Sequence, residues 1–203
     1  LWRMQPRRLE VEALRDAILA VAGTLDRTPP LADETFLGRF NPYREDEYRT
    51  HQPAFGPTSM EQPFRSVYLP VIRGVLPEMY QLFDFASPER SVPQRNESIV
   101  PAQALFFKNN PWVIEQARAT AKSLLSDIAA DDTARVAKLY EAAFARRPTV
   151  TESSSALAYL REPELLRSDP KAKALSTPSE LREERWTSFC QTVFASAEFR
   201  YLR

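Results

Sequence analysis

The residues best suited to chemistry lie between Gln62 and Trp112, where arginine, acidic and amide side chains alternate with apolar ones. Such side chains can form a buried hydrogen-bonded network that fixes irregular backbone, or they can line a ligand pocket. The sequence leaves both interpretations open and favours the network. The candidate residues for this network or pocket are Arg65, Tyr68, Arg73, Asp84, Arg95, Asn96, Glu97 and Gln103.

Acidic residues of the same segment could perform glycoside hydrolysis, which needs two carboxylates at a defined separation. Sequence does not give that separation, and ion pairing with nearby arginines is the interpretation we favour. The acids are Glu78, Asp84 and Glu97, and the candidate partners are Arg73, Arg90 and Arg95.

The chain contains one histidine and one cysteine, so an internal disulfide, a cysteine zinc cage and a multi-histidine metal site are excluded. His51 could be a base or a lone ligand, but no nucleophile pattern surrounds it, which favours a solvated loop residue. Cys190 lies on an apolar stripe, which favours a packed core thiol over a redox centre. We therefore expect no metal site and no cofactor held by this chain.

Charge and hydropathy also argue against several classes of partner and against a membrane-spanning protein. Lys plus Arg and Asp plus Glu are both 27, so the net charge is zero, which argues against nucleic acid or an anionic membrane surface as partner. No apolar stretch approaches the ~20 residues that a membrane span needs.

These side chains must be positioned by helices. With 4 Gly and 17 Pro, the chain is poorly suited to the tight hairpins of a β-sandwich or barrel. Apolar spacing instead predicts a mainly α fold: an irregular multi-helix domain with a long proline-rich excursion and one or two short strands. We expect a single helical domain over 1–203, part of a larger protein, with the excursion at 24–62, the polar segment at 63–112 and C-terminal helices over 113–203.

Several elements can be assigned individually. The pattern predicts a helix from Arg7 to Ala22 with Arg15 on its polar face, and a strand over Arg65–Ile72. Prolines 77, 101, 111 and 178 mark helix starts. Asn110 and Thr151 are predicted N-caps, and Thr177 with Pro178 begins the last long helix. Asp131 and Asp132 lie at the start of another helix, where their charge suits the helix dipole.

Aromatic residues are frequent in or beside the excursion. They could stack on sugar rings, or they could pin the excursion onto the helices, which is the interpretation we favour. They are Phe36, Phe40, Tyr43, Tyr48, Phe55 and Phe64.

Residues 65–117, which begin RSVYLPVIRG and end KNNPWVIEQA, resemble the central signature of a bacterial family, the domain of unknown function 1553. RRLEVEALRDAILAVAGTLD (7–26), LYEAAFARRPTVTE (139–152) and WTSFCQTVFASAEFRYL (186–202) resemble its other elements in order. The family often has Gly-Arg-Arg-Asn at Pro93–Asn96, so only Arg95 and Asn96 carry over. A glycine-containing turn typical of the family is replaced here by residues 25–30.

The resemblance implies a setting rather than a reaction. Family members are large secreted or envelope-associated proteins of planctomycetes and related bacteria, often with a second uncharacterised domain and a c-type haem domain. It therefore implies an extracytoplasmic protein whose haem, if present, is held by another domain. We expect a non-catalytic scaffold or docking module for neighbouring domains, or alternatively a carbohydrate-binding or carbohydrate-active domain that acts in polysaccharide breakdown.

Overall fold

The computed structural model describes residues 7–30, 60–71, 76–161 and 177–202, and these ranges are mainly helical, which confirms the predicted fold class. His51, Arg73 and the excursion aromatics other than Phe64 lie outside the described residues. The elements are β1 (Arg7–Arg8), α1 (Val11–Ala22), α2 (Glu78–Leu82), α3 (Pro101–Asn109), α4 (Pro111–Leu125), α5 (Asp132–Phe144), α6 (Val150–Arg161), α7 (Pro178–Ala195), α8 (Ala197–Arg200) and β2 (Tyr201–Leu202).

The described residues fall into two compact units. The bundle unit comprises residues 7–9, 17–24, 100–161 and 177–202, and the loop-rich unit comprises residues 10–16, 25–30, 60–71 and 76–99. Helix α1 contributes residues to each.

The bundle unit is built around the packing of α4 against α7. Helix α4 buries the small side chains of Val113, Ala117 and Ala121, whereas α7 buries the larger rings of Trp186 and Phe194. Burial of such side chains contributes about 1.5–3 kcal/mol each for the larger ones, so this helix pair forms the main apolar core of the unit.

Helix starts follow the predicted chemistry in four places. The Asn110 side chain accepts from the backbone N–H of Trp112, and Asp131 accepts from that of Ala134. Thr177 and Glu180 form a reciprocal capping box at the start of α7. Prolines occupy the first turn of α3, α4 and α7, where the missing N–H has no helical partner to lose.

Helix α6 begins differently from the prediction. Thr149, not Thr151, accepts from the backbone N–H of Glu152 at 3.2 Å, and the Glu152 carboxylate accepts from the Thr149 N–H at 2.7 Å. The sequence Thr-x-x-Glu at 149–152 carries this capping-box signature, so the error was one of register.

The predicted strand over Arg65–Ile72 is wrong for its described residues. Ser66–Tyr68 forms a 3₁₀ turn, with the Leu69 N–H donating to the Ser66 carbonyl at 3.1 Å. The Ser66 N–H donates to the Asp16 carboxylate at 2.8 Å, and Pro70 has no N–H. Donors that a neighbouring strand would need are thus used elsewhere or missing.

The strands that do form are two residues long. Arg7 pairs with Leu202 and Arg8 with Tyr201 in an antiparallel sheet within the bundle unit. The predicted helix start at Arg7 is therefore wrong, since α1 begins at Val11.

Candidate functional site

Arg15 is the most deeply buried charged residue of the loop-rich unit, with 0% of its surface exposed, although the sequence placed it on a polar face. Its Nη1 donates to the Phe64 carbonyl at 2.9 Å and to Ser66 Oγ at 3.2 Å. Its Nη2 donates to the carbonyls of Met60, at 3.2 Å, and Gln62. Burial lowers the pKa of Arg15, yet the surrounding oxygens and Asp16 hold the guanidinium in its charged form.

This contact set, the Arg15 network, fixes a segment that has almost no regular structure. Residues 60–66 turn around the guanidinium, and a planar group with five donors is the side chain able to collect several carbonyls at once. The spacing of Val11, Arg15 and Ile18 could have revealed the burial, because residue 15 lies on the same helical face as its apolar neighbours.

Asp16 extends the network to the 3₁₀ turn. Its Oδ1 accepts from the Ser66 N–H at 2.8 Å and from Ser66 Oγ at 2.7 Å. The predicted site residue Arg65 is half-exposed, with its Nε 3.9 Å from Asp16 Oδ2, and Tyr68 is half-buried in the turn. Arg65 therefore adds a peripheral charge to a structural contact.

Arg95 makes the most directed ion pair of the unit. Its two terminal nitrogens each donate to one Glu12 oxygen at 2.7 Å, and Nη1 lies 3.3 Å from Glu10. The guanidinium also lies 4.8 Å from the centre of the Phe85 ring. Hydrogen bonding to Glu12 raises the pKa of Arg95. Burial raises the pKa of Glu12, but the bonds from Arg95 and the backbone outweigh it and leave that pKa lowered.

Asp84 holds a turn of the connector between α2 and α3. Its backbone has φ +60°, a left-handed conformation that aspartate tolerates better than most residues. Its carboxylate accepts from the Ser98 N–H at 2.8 Å and from Ser98 Oγ at 2.9 Å. Among the described contacts, Asp84 thus bonds to Ser98, and Arg95 pairs with Glu12 and Glu10.

The remaining candidate residues are dispersed. Asn96 and Glu97 are exposed on the connector, as is Glu78 at the start of α2. Gln103 belongs to the bundle unit, where it is 2% exposed within α3. Arg73 lies outside the described residues.

Tyr80 carries a buried hydroxyl in the loop-rich unit. That hydroxyl has no hydrogen-bond partner in the described structure, and its ring stacks on Phe85 with centroids 4.9 Å apart. Burial raises the pKa of Tyr80, so the phenol stays neutral and does not become a base.

A second arginine centre, which sequence reasoning missed, lies in the bundle unit. Arg146 donates to both oxygens of Glu152 and to both oxygens of Glu198, at 2.7–2.8 Å. It thereby connects the end of α5, the first turn of α6 and α8. Hydrogen bonds from Arg146 lower the pKa of Glu152 to about 2, and those to Glu152 and Glu198 raise the pKa of Arg146.

A cavity of about 330 Å³ adjoins this centre. Three aromatic rings line it, those of Tyr140, Tyr159 and Phe189, and Ser155 and Thr192 add hydroxyls. The Tyr159 hydroxyl is held 2.8 Å from Ser188 Oγ, which orients its ring. We call it the aromatic cavity.

Cys190 is fully buried on α7, which confirms the predicted core thiol, and burial raises its pKa to about 12. Among residues 7–30, 60–71, 76–161 and 177–202, no group of three or more His, Cys, Asp or Glu side chains could hold a metal ion.

A family model described as "Protein of unknown function (DUF1553)" matches residues 1–160. The chain belongs to this family. The resemblance drawn from residues 65–117 is thereby confirmed, and the DUF1553 match includes the Arg15 network, the Arg95–Glu12 pair and Arg146. No curated protein and no solved structure matches the chain. In the part of the chain that the structure describes, no helix is both long and apolar enough to cross a bilayer.

Proposed function

We propose that this DUF1553 chain is a non-catalytic helical module of a larger extracytoplasmic multidomain protein, where it acts as a scaffold or docking element for neighbouring domains. The observation that supports this most is the engagement of Arg95. A guanidinium that donates to both oxygens of Glu12 and lies against the Phe85 ring has its charge paired inside the protein. Arg95 therefore has a structural role, because the nitrogens that bond to Glu12 are not available to a ligand.

The setting of this proposal comes from the family. Family proteins are expected to place a second domain and a c-type haem domain beside this one, so any haem is held elsewhere in the parent protein. Exposed apolar side chains on the bundle unit suit a surface that meets other domains. Ile128 is 93% exposed and Val150 is 89% exposed.

A double-mutant cycle on the Arg95–Glu12 pair tests the framework role. We expect Arg95→Gln and Glu12→Gln to destabilise the full-length protein individually, and the two losses to be coupled by about 1 kcal/mol, as for a directed, partly buried pair. Arg90→Gln, at an exposed arginine of the same connector, is the matched control.

The same variants are then applied to a glycan panel. Glycan retention that disappears with Arg95→Gln while stability and coupling stay unchanged would contradict the framework role and favour a binding role for Arg95.

The alternative function is carbohydrate binding during polysaccharide breakdown, and the aromatic cavity is the observation that favours it. Aromatic faces can cover the apolar face of a sugar ring while hydroxyls meet its polar edge. Its volume, about 330 Å³, is within the range of small-molecule sites.

Glycan retention by the variants Tyr159→Phe and Tyr159→Ala tests this alternative. Tyr159→Phe keeps the ring and should keep sugar affinity, whereas Tyr159→Ala should lose it. If Tyr159→Ala binds the glycan panel as the unchanged protein does, the aromatic cavity is not the binding site.

A further inference from the structure

Two adjoining cavities of about 410 and 380 Å³ lie in the bundle unit where α6 ends and α5 and α7 begin. They share Asp132, Arg161 and Arg182 as lining residues. We call them together the arginine cleft. Among the described residues, the cleft has no lining residue in common with the aromatic cavity.

Among the described residues that line this cleft, cationic side chains outnumber acidic ones. Its charged lining residues are Asp131, Asp132, Arg135, Arg161, Arg182 and Arg185. The two acids are already engaged: Asp131 Oδ1 accepts from the Ala134 N–H at 2.7 Å, and Asp132 Oδ1 accepts from Arg135 at 2.8 Å and Arg182 at 2.7 Å.

Arg135 is a structural member of this set. It is buried, and besides Asp132 it donates to the carbonyls of Leu124 at 3.0 Å and Asp127 at 2.7 Å. Arg135 therefore joins the α4–α5 connection to α5. The excess positive charge of the cleft comes from the other arginines.

Arg185 provides the decisive detail. Its Nε is buried and has no hydrogen-bond acceptor among the described residues, while Nη1 makes only a long contact of 3.4 Å to the Leu160 carbonyl. A buried donor without an acceptor is unfavourable, so such groups commonly mark the place of an absent partner. The C-terminal dipole of α6 attracts cations here but does not satisfy this donor.

Arg161 stands at the exposed end of α6 and lines both cavities, with no carboxylate partner in the described parts of the chain. Between these guanidiniums the cavity of about 380 Å³ has an apolar wall of Leu160, Pro178, Leu181 and Trp186. This arrangement is complementary to a ligand that has an anionic group at one end and an apolar body at the other.

We propose that the arginine cleft binds a small organic carboxylate, with its charged group between Arg161 and Arg185 and its apolar body on the wall formed by Leu181 and Pro178. A carboxylate is complementary to the planar guanidinium fork, and it would give the incompletely hydrogen-bonded guanidinium of Arg185 an acceptor on its cleft side. This site goes beyond the scaffold role and does not depend on it.

Isothermal titration of the full-length protein with benzoate tests the site, with uncharged benzamide as the matched ligand. We expect benzoate to bind and benzamide not to bind. Arg161→Gln and Arg185→Lys should each weaken benzoate binding at least about tenfold, the loss of one charge-assisted hydrogen bond. Lysine at 185 keeps the charge but lacks the planar guanidinium fork. Arg147→Gln, at an arginine 85% exposed and paired with Glu141, should bind as the unchanged protein does.

Circular dichroism of each variant confirms that the helices remain, since Arg161 is exposed and Arg185→Lys keeps a charged side chain at a half-buried position. Equal binding of benzamide, no heat from benzoate, or benzoate affinity unchanged in both variants would each overturn the proposal. Sulfate or phosphate that binds more tightly than benzoate at the same residues would overturn the choice of a carboxylate.

Discussion

At the residue scale, the DUF1553 chain relies on arginines as connectors. Arg15 collects backbone carbonyls, Arg95 holds a glutamate on α1, and Arg146 joins three helices. In each case the guanidinium bonds to several oxygens of residues elsewhere in the chain, which a lysine ammonium cannot reproduce with the same geometry. These three arginines therefore contribute to tertiary structure rather than to surface charge.

Replacing Arg15 should destabilise the protein most. Arg15→Met removes the guanidinium and its charge, keeps an unbranched apolar stem, and leaves the carbonyls of Met60, Gln62 and Phe64 without this donor. We expect a loss of about 3–5 kcal/mol, as for a broken buried charge network, measured by urea unfolding. Arg15→Lys should recover less than half of it, whereas exposed Arg90→Met should change stability by about 0.5 kcal/mol or less. A neutral effect of Arg15→Met would contradict the Arg15 network.

The Glu152 carboxylate should make stability depend on acid pH. Its pKa is about 2 when folded, against an ordinary 4.5, so its stabilising contribution is complete above about pH 4.5 and is lost as the pH falls towards 2. The unfolding free energy of Glu152→Gln should therefore be lower than that of the unchanged protein at pH 6, and the gap should close towards pH 2. A gap that stays constant over this range would show that the carboxylate charge is not involved.

Cys190 should be chemically silent in the folded state. Its burial raises the pKa of the thiol to about 12, so little thiolate exists at pH 8 and reagents cannot reach it. Peptide-level mass spectrometry should find Cys190 unlabelled by iodoacetamide until denaturant is added. Labelling of Cys190 in the native protein at the rate of a free thiol would show that α7 opens readily.

At the element scale, caps explain why some helices could be predicted with correct starts. Asn110–Pro111 and Thr177–Pro178 combine an N-cap with a first-turn proline, and both helices begin there. For α6 the sequence offers threonines at 149 and 151, and only the glutamate three residues after Thr149 distinguishes them. A helix start can thus be predicted from sequence where an N-cap residue and a first-turn proline, or a capping-box glutamate, occur together.

The two threonines provide a matched pair of substitutions. Thr149→Ala removes an N-cap acceptor and should destabilise the protein by about 1 kcal/mol. Thr151→Ala, on an exposed residue two positions later, should change stability by about 0.5 kcal/mol or less. Thermal unfolding of both variants measures the difference, and equal losses would contradict the assignment of the cap to Thr149.

At the scale of the whole molecule, the helical core could be predicted and the irregular part could not. Periodic apolar residues identify α4, α5 and α7 because helix and burial share one local pattern. The turn at Ser66–Tyr68 depends on Asp16, which lies 50 positions earlier, and Arg15 bonds to carbonyls that any residue could supply. Strand pairing between residues 7–8 and 201–202 is equally nonlocal, so no short window of sequence contains it.

Hydrogen exchange of the full-length protein should separate these two kinds of structure. The inner amides of α4 and α7 should exchange most slowly, because both helices are extensively packed. Amides of the connector over residues 86–100, which has no regular element, should exchange by local opening at much lower free energy. Connector amides as slow as those of α7 would contradict this order.

The pairing of β1 with β2 also has a mechanical consequence. Arg7 and Leu202 are partners at the same end of a two-residue antiparallel ladder, so tension applied through the flanking chain would load its hydrogen bonds one at a time, as in unzipping. The two strands would separate at low force, and the distance between the pulled ends would increase while the helices stayed folded. Tension applied at residues 7 and 202 would thus be absorbed first by the β1–β2 ladder.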